Sequence, residues 1–352
     1  MTLPARTARA GALLTAVVLT LTSCGSGDDG SAAAAEGGGD LGDLTLQLSW
    51  IKNAEFAGEF FADTNGYYQD AGFGEVTMDP GPGAIETLVA TEDADFGLSN
   101  AVSTAQVVAE EDAPLRIVGT KFQKNPFTIL SLADGGNIAT PQDLVGKRIG
   151  VQAGGNETLF DALLQVNGID PASVEKVPVE YDPAPLLDGE VDGFLAYLTN
   201  ESITVQAQGL QVTNLPFADN GLPFVAESVI TTERMIAEEP ERVQAFLEAE
   251  IRGWQDALAD PAEGARLAVE EYGADLQLDL AKELEQSEVQ AGLIVTPDVE
   301  ANGLFTISDE LIEQNMATLA AAGIDVEAED LFDLSLLEEL LEEKPELAEL
   351  PS

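Results

Sequence analysis

The chain has 352 residues, with 64 Asp and Glu against 15 Lys and Arg and a formal net charge of −49, a balance that repels nucleic acid and anionic lipid head groups. It contains no histidine and a single cysteine, which excludes Ser-His-Asp and Cys-His catalysis, histidine-ligated zinc and internal disulfides. Hydrophobic residues make up 45%, enough for a packed core, and the acids are spread along the whole chain in the manner of a surface adapted to salt.

The first 23 residues read as a lipoprotein signal peptide. Arg6 and Arg9 form a positive start, residues 10–21 are an apolar run too short for a permanent membrane span, and Leu21-Thr22-Ser23-Cys24 has the form of a bacterial lipobox. That form implies cleavage before Cys24, lipidation of Cys24, and residence on the extracellular face of the cell membrane. Residues 24–43 are a tether of Gly, Ser, Ala and acids with nothing to bury.

Alternating apolar patterns then predict strands over 44–49, 75–78, 95–99, 115–120 and 127–132, with helices over 54–71, 84–90 and 101–110 between them. The pattern restarts at Thr140-Pro141, a helix start, and continues with strands over 148–151, 174–178, 193–197 and 228–232 and helices over 156–165, 183–187 and 201–207. The chain is then helical over 240–258, 261–272, 278–290 and 309–321. Leucines at helical spacing among glutamates over 330–350 fit either a docked helix or a frayed acidic tail. Two rounds of strand–helix alternation predict an α/β protein of two lobes with a ligand between them: lobe 1 over 44–132 and 229–352, lobe 2 over 133–228.

Several segments carry a family resemblance. They are 48–58 (LSWIKNAEFAG), 65–72 (NGYYQDAG), Ala94-Asp95-Phe96-Gly97, 143–151 (DLVGKRIGV), Gly154-Gly155-Asn156-Glu157, 189–193 (GEVDG) and Tyr197-Leu198-Thr199-Asn200-Glu201. In this order, over roughly 44–325, they resemble the solute-binding proteins that feed ABC importers with thiamine-pyrimidine precursors, riboflavin, nitrate or sulfonates. The resemblance implies a two-lobed, type II periplasmic-binding-protein-like fold with a hinge and an interlobe cleft. It also implies a small-molecule ligand, a permease and its ATPase as partners, a monomer, and neither a cofactor nor a metal.

Ligand groups in such a cleft sit at strand ends and helix N-termini. In lobe 1 these are Trp50, whose indole offers a flat face and one N–H, then Asn53, Phe56, Pro82, Gly83 and Asn100. In lobe 2 they are Gly154, Gly155, Asn156 and Glu157, where glycine lets backbone approach a ligand, then Tyr197, Asn200 and Glu201. On the residues alone, core packing for Trp50, capping for Asn53 and Asn100, and a helix first turn for Glu201 stay open.

No arginine falls in these loops, and Lys52 is the only nearby cation. Nitrate, a sulfonate or taurine, the alternative ligands, would prefer firm cationic donors. The expected ligand is therefore a neutral or cationic heteroaromatic, pyrimidine-like or flavin-like. Relatives in the pyrimidine-synthesis branch consume an internal histidine and carry a Cys-rich motif. With no histidine here, the expectation is binding without catalysis.

Overall fold

The computed structural model describes residues 40–351. The expected signal peptide, Cys24 and most of the expected tether lie outside the described residues.

The chain first runs through β1 (Leu44–Gln47), α1 (Ala57–Thr64), α2 (Tyr67–Ala71), β2 (Val76–Asp79), α3 (Ile85–Ala90), β3 (Phe96–Asn100), α4 (Ala101–Glu111) and β4 (Leu115–Phe122). It crosses to β5 (Phe127–Leu132), β6 (Arg148–Val151), α5 (Gly155–Val166), β7 (Glu175–Pro178), α6 (Ala184–Leu187), β8 (Gly193–Tyr197), α7 (Glu201–Ala207) and β9 (Val212–Pro216). It returns through β10 (Ala226–Thr232), α8 (Glu233–Glu238), α9 (Pro240–Ala259), α10 (Pro261–Leu267), α11 (Leu280–Ile294), α12 (Pro297–Asn302), α13 (Asp309–Ala321), α14 (Ala328–Leu331) and α15 (Ser335–Glu343).

Two five-stranded sheets result, ordered β2-β1-β3-β10-β4 and β7-β6-β8-β5-β9. In each, three parallel strands are followed by one that runs antiparallel to its neighbours, β10 in the first and β5 in the second. The antiparallel strand is in both cases the first one after a crossing, so each lobe is completed by chain arriving from the other.

This pairing moves the expected lobe boundary. β5 belongs to the second sheet, with Ile129 opposite Leu195 and Leu215, so the chain crosses at residues 123–126 and not after 132. β4 and β5 are both apolar and are separated only by Gln123-Lys124-Asn125-Pro126. Nothing local says which sheet receives β5. The return crossing, 217–225, precedes β10, close to the expected 228. Asn125 Nδ2 donates to the Leu222 carbonyl at 2.8 Å and so ties the two crossings into one hinge.

The single helix expected over 54–71 is three pieces. A 3-10 turn, Ala54–Phe56, leads into α1, and the chain breaks before α2 at Gly66, which adopts φ +76°, a conformation open to glycine at no steric cost. α9 buries Val243, Phe246, Leu247, Glu250, Ile251 and Trp254, the three- and four-residue spacing of one helix face. Phe246 stacks on Phe96 of β3 at 4.0 Å. A Cβ on Gly253 would stand 2.1 Å from the Gly58 carbonyl oxygen, so α1 and α9 meet backbone to backbone and only glycine permits it.

Leu336, Leu337 and Leu340 of α15 and the following Leu347 are buried in the core of lobe 1. The acidic C-terminal stretch is thus docked, each buried leucine contributing about 1.5–3 kcal/mol. No helix among the described residues is long and apolar enough to cross a membrane.

Candidate functional site

A cavity of about 350 Å³ lies between the lobes, within the size range of small-molecule pockets. Lobe 1 contributes Ser49 and Trp50 after β1, Glu55 from the 3-10 turn, Pro82-Gly83 after β2, Asn100 and Ser103 at the start of α4, and Glu227 of β10. Lobe 2 contributes Gln152, Gly155 and Asn156 after β6, Tyr181 after β7, and Tyr197, Asn200 and Glu201 at and after the end of β8. The walls are therefore the carboxyl ends of the parallel strands of both sheets, where open α/β folds bind ligands.

Aromatic rings face the cavity from both sides. Trp50 of lobe 1 meets Tyr181 of lobe 2 edge to face, with ring centroids 4.8 Å apart, and its buried indole N–H has no partner. Tyr197 packs edge to face on Phe127 at 4.7 Å. Burial pushes the Tyr197 phenol well above its ordinary value, with Glu227, Glu55 and Glu201 adding to the shift, so it is a neutral donor.

Two helices point their N-termini at the cavity from opposite lobes. α4 is capped: Asn100 Oδ1 accepts from the backbone N–H of Val102 at 3.1 Å and of Ser103 at 3.0 Å. α5 has no side-chain cap and is preceded by Gly154, which adopts φ +80°. Its first N–H groups are the ones free to meet a ligand oxygen. Asn156 donates to Gln152 Oε1 at 3.1 Å, and Gln152 to the Leu195 carbonyl at 3.1 Å, which stiffens this wall.

The charge on the walls has one sign. Glu55, Glu86, Glu201 and Glu227 reach the cavity, and no lysine or arginine does. Glu86 accepts from Ser99. Glu201 accepts from the Tyr197 backbone N–H and from Asn200 Nδ2, both at 2.7 Å, and burial raises its carboxyl. Glu227 accepts from Ser49 Oγ at 2.8 and 2.9 Å. Burial raises Glu55 well above the usual carboxylate range, and the neighbouring Glu227 charge adds to this.

Behind this wall Lys121 is buried. Its ammonium donates to the Glu55 carbonyl at 2.9 Å and to Glu59 Oε1 at 3.4 Å, and stands 3.8 Å from Glu227 Oε2. Across the cleft, Lys282 of α11 donates to Asn200 Oδ1 at 2.8 Å, a direct bond between the lobes. No group of three or more metal-ligating side chains is placed to hold a metal ion among the described residues. Ser49 donates to the Glu227 carboxylate, a base too weak to ionise an alcohol.

Of the residues expected at the site, Trp50, Pro82, Gly83, Asn100, Gly155, Asn156, Tyr197, Asn200 and Glu201 line the cavity. Four do not. Asn53 is buried and caps the 3-10 turn, accepting from the Glu55 N–H at 3.1 Å. Phe56 packs in the core under Lys121, 5.0 Å from its ammonium. The turn sends Glu55, one residue earlier, to the cavity instead, because successive helical side chains point to different sides. Gly154 shapes the loop without reaching the wall, and Glu157 faces solvent, paired with Lys176 at 2.8 Å.

Glu55, Tyr181 and Glu227 are among the lining residues that sequence reasoning missed. Glu55 lay inside the recognised segment. Tyr181 follows a lobe-2 strand, the position at which an aromatic would be sought. Glu227 left no sequence signal. It sits where the β10 register shifts, at φ +49°, and such a bulge re-aims a side chain.

Comparison with known proteins agrees with this architecture. The NMT1/THI5-like family model matches residues 53–264. The riboflavin-binding protein RibY of Chloroflexus aurantiacus is 26% identical over 267 residues, covering 72% of this chain and 75% of the relative. The 4-amino-5-hydroxymethyl-2-methylpyrimidine phosphate synthase of Schizosaccharomyces pombe is 25% identical over 235 residues, covering 62% of this chain and 67% of the relative. Among solved structures, the periplasmic aliphatic sulphonate binding protein SsuA of Escherichia coli aligns with a TM-score of 0.60 at 14% identity, covering 79% of this chain and 85% of that one. This last likeness is one of fold. Two sheets of the same strand order around one interlobe cavity, with a family model that includes most of the first sheet, the hinge and the second lobe, give the conclusion that the chain belongs to the NMT1/THI5-like family and has the periplasmic-binding-protein fold.

Proposed function

We propose that this protein is the solute-binding component of an ABC importer. It captures a flat nitrogen heterocycle between its lobes and presents the closed form to a permease and its ATPase, held on the outer face of the membrane by a lipid on Cys24. The observation that carries this reading is the interlobe cavity itself. Aromatic rings enter it from both lobes, its polar groups are hydrogen-bonding side chains and helix N–H groups, and its charges are all carboxylates.

That lining favours a ring with N–H donors over an anion. Nitrate or a sulfonate would meet Glu55, Glu86, Glu201 and Glu227 with no cation on the wall. The riboflavin named for RibY and the pyrimidine named for the yeast synthase are both nitrogen heterocycles, which supports the same class. Synthase chemistry that consumes a histidine of the protein has no residue to use in a chain with none. Two hinge crossings and the Lys282–Asn200 bond are the parts a closing clamp needs.

The test is a thermal-shift panel of pyrimidines, flavins, amidines, sulfonates and nitrate, followed by calorimetry. A ligand at a hundred times its Kd stabilises the folded state by about 2.7 kcal/mol. The expected result is a rise in Tm with a nitrogen heterocycle. A rise with nitrate or a sulfonate alone, or with nothing in the panel, overturns the reading.

A further inference from the structure

The lobe-1 floor of the cavity is the most unusual arrangement of charge in the molecule. Glu55 is 1% exposed, and its Oε1 has no hydrogen-bond partner although it lines the cavity. Glu227 is equally buried and reaches the same floor from a bulge in a central strand, at a positive φ that a side-chain-bearing residue rarely adopts. A bulge and a strained residue beside a cavity are features that function, not packing, retains.

Charge bookkeeping gives the floor a sign. Among the described residues Lys121 is the one cation behind it, and its ammonium is shared with Glu59 at 3.4 Å and Glu227 at 3.8 Å. Its other close bond is to the Glu55 carbonyl, not to the Glu55 carboxyl. One ammonium therefore stands against four buried carboxyl groups, those of Glu55, Glu59, Glu227 and Glu250, and the Glu55 carboxyl faces the like-charged Glu227 and accepts no hydrogen bond from a cation. A buried carboxylate without a partner is costly, and a matching donor or cation removes that cost. The described carboxylates do not converge as metal ligands, and the aromatic rings beside them favour an organic partner.

Resting on the solute-binding reading above, we propose that Glu55 and Glu227 bind a positively charged nitrogen group, an amidinium-like or ammonium-like edge carried on a flat ring, and thereby select cationic ligands over neutral and anionic ones. Trp50 and Tyr181 flank the same space, and aromatic faces attract an organic cation as well as stack on its ring. Charge-assisted hydrogen bonds are roughly twice as strong as neutral ones, which is the source of the selection.

The test uses one ring with three charges: benzamidine (cationic), benzamide (neutral) and benzenesulfonate (anionic), with riboflavin as a larger neutral heterocycle. Each is titrated into the full chain by calorimetry. Benzamidine is expected to bind at least about tenfold more tightly than benzamide, with benzenesulfonate weakest. Glu55→Gln and Glu227→Gln are each expected to bring benzamidine to within about threefold of benzamide, and both swaps preserve side-chain shape. Should Glu227→Gln fail to fold, because it also faces Lys121, Glu55→Gln and the pH profile of the unmutated protein decide the matter.

For that profile the benzamidine charge is constant, so any change comes from the protein. The groups facing the floor from lobe 1 are Glu55 on the 3-10 turn, Glu59 on α1, Glu86 on α3, Lys121 on β4 and Glu227 on β10, with the Lys282–Glu283 pair of α11 packed against the turn. Glu201 on α7, Tyr197 on β8 and Tyr181 in the loop after β7 face it from the second lobe, and Glu250 on α9 lies behind. Burial raises Glu55 and Glu201, while Lys121 stays charged and the tyrosines stay neutral. Lowering the pH from neutral thus protonates the raised carboxyls first and weakens benzamidine binding. Equal affinity for benzamidine and benzamide, tightest binding of benzenesulfonate, or no weakening with acid overturns the proposal. Tight riboflavin binding that Glu55→Gln leaves unchanged also overturns it while the solute-binding reading stands. If no compound in this set or in the wider panel binds, both fall.

Discussion

Replacing Lys121 by Met tests whether the buried charge cluster is what it looks like. Methionine keeps the apolar stem and removes the ammonium. In the native protein that ammonium stands 4.5 Å from the Trp254 ring centroid and 5.0 Å from that of Phe56, and it compensates Glu59 and Glu227, both buried. Burial alone would depress the Lys121 ammonium, but Glu59, Glu227 and Glu55 outweigh it and hold it above its ordinary value. Removing one partner of a buried pair costs about 3–5 kcal/mol, because the remaining charge is left uncompensated. Against a total stability of about 5–15 kcal/mol this is a large fraction.

The assay is urea unfolding of both proteins at one salt concentration, read by linear extrapolation. The pH dependence has a definite sign. Lys121, raised in the folded state, contributes stability fully present below its unfolded pKa and lost only as the pH rises through its folded one, so its contribution is intact at neutral pH. Glu55 and Glu59 are raised chiefly by burial. Raised carboxyls bind protons more tightly in the folded state, so acid relieves their cost between the folded and the unfolded pKa. Without Lys121 they rise further, so the gap between the two proteins should narrow as the pH falls below neutral. A loss under about 1 kcal/mol, or a gap that does not change with pH, would refute a charged cluster.

Trp50→Ala removes the lobe-1 aromatic wall, a loss of roughly 0.5–1.5 kcal/mol beyond the area buried, and calorimetry should show at least about tenfold weaker ligand binding; unchanged affinity would place the ligand elsewhere. Lys282→Met breaks the 2.8 Å bond to Asn200 between the lobes. A hydrogen bond to a charged group contributes about 1.5–3 kcal/mol, so the closed, liganded form should weaken by about tenfold or more in calorimetry; because Lys282 also pairs with the buried Glu283 at 3.1 Å, the Tm of the unliganded protein should fall as well. Raising NaCl from low to molar concentration should raise the Tm, since a net charge of −49 repels itself and salt screens it; a flat or falling curve counts against this. Cys24→Ala should release the protein from cells into the medium, and retention of the variant in the membrane fraction would argue against a lipid anchor.

The helices and strands were largely legible because their signals are local. The strands 148–151 and 193–197 and the helices 201–207 and 309–321 stand at the boundaries read from periodicity and turn residues. Nine of the thirteen residues expected at the site line the cavity because strand ends and helix starts can be read one element at a time. Phe56 lies one residue and Asn53 two residues from Glu55, the side chain that the 3-10 turn directs to the cavity.

By itself, then, the amino-acid order determined the α/β class, the two rounds of strand–helix alternation, the absence of histidine chemistry and the strongly acidic surface, all of which depend on composition or on near neighbours. Only the tertiary structure decided what depends on pairing across distance. It assigned β5 to the second sheet through hydrogen bonds with β8 and β9, and it docked the acidic C-terminal leucines on lobe 1. It also set Trp50 against Tyr181, 131 residues apart in the chain. The four carboxylates of the cavity come from four separate elements, and Glu227 reaches it through a strand bulge. Register, bulges and the meeting of two lobes are long-range properties, and they gather onto one wall charges that the sequence shows only as members of an acidic crowd.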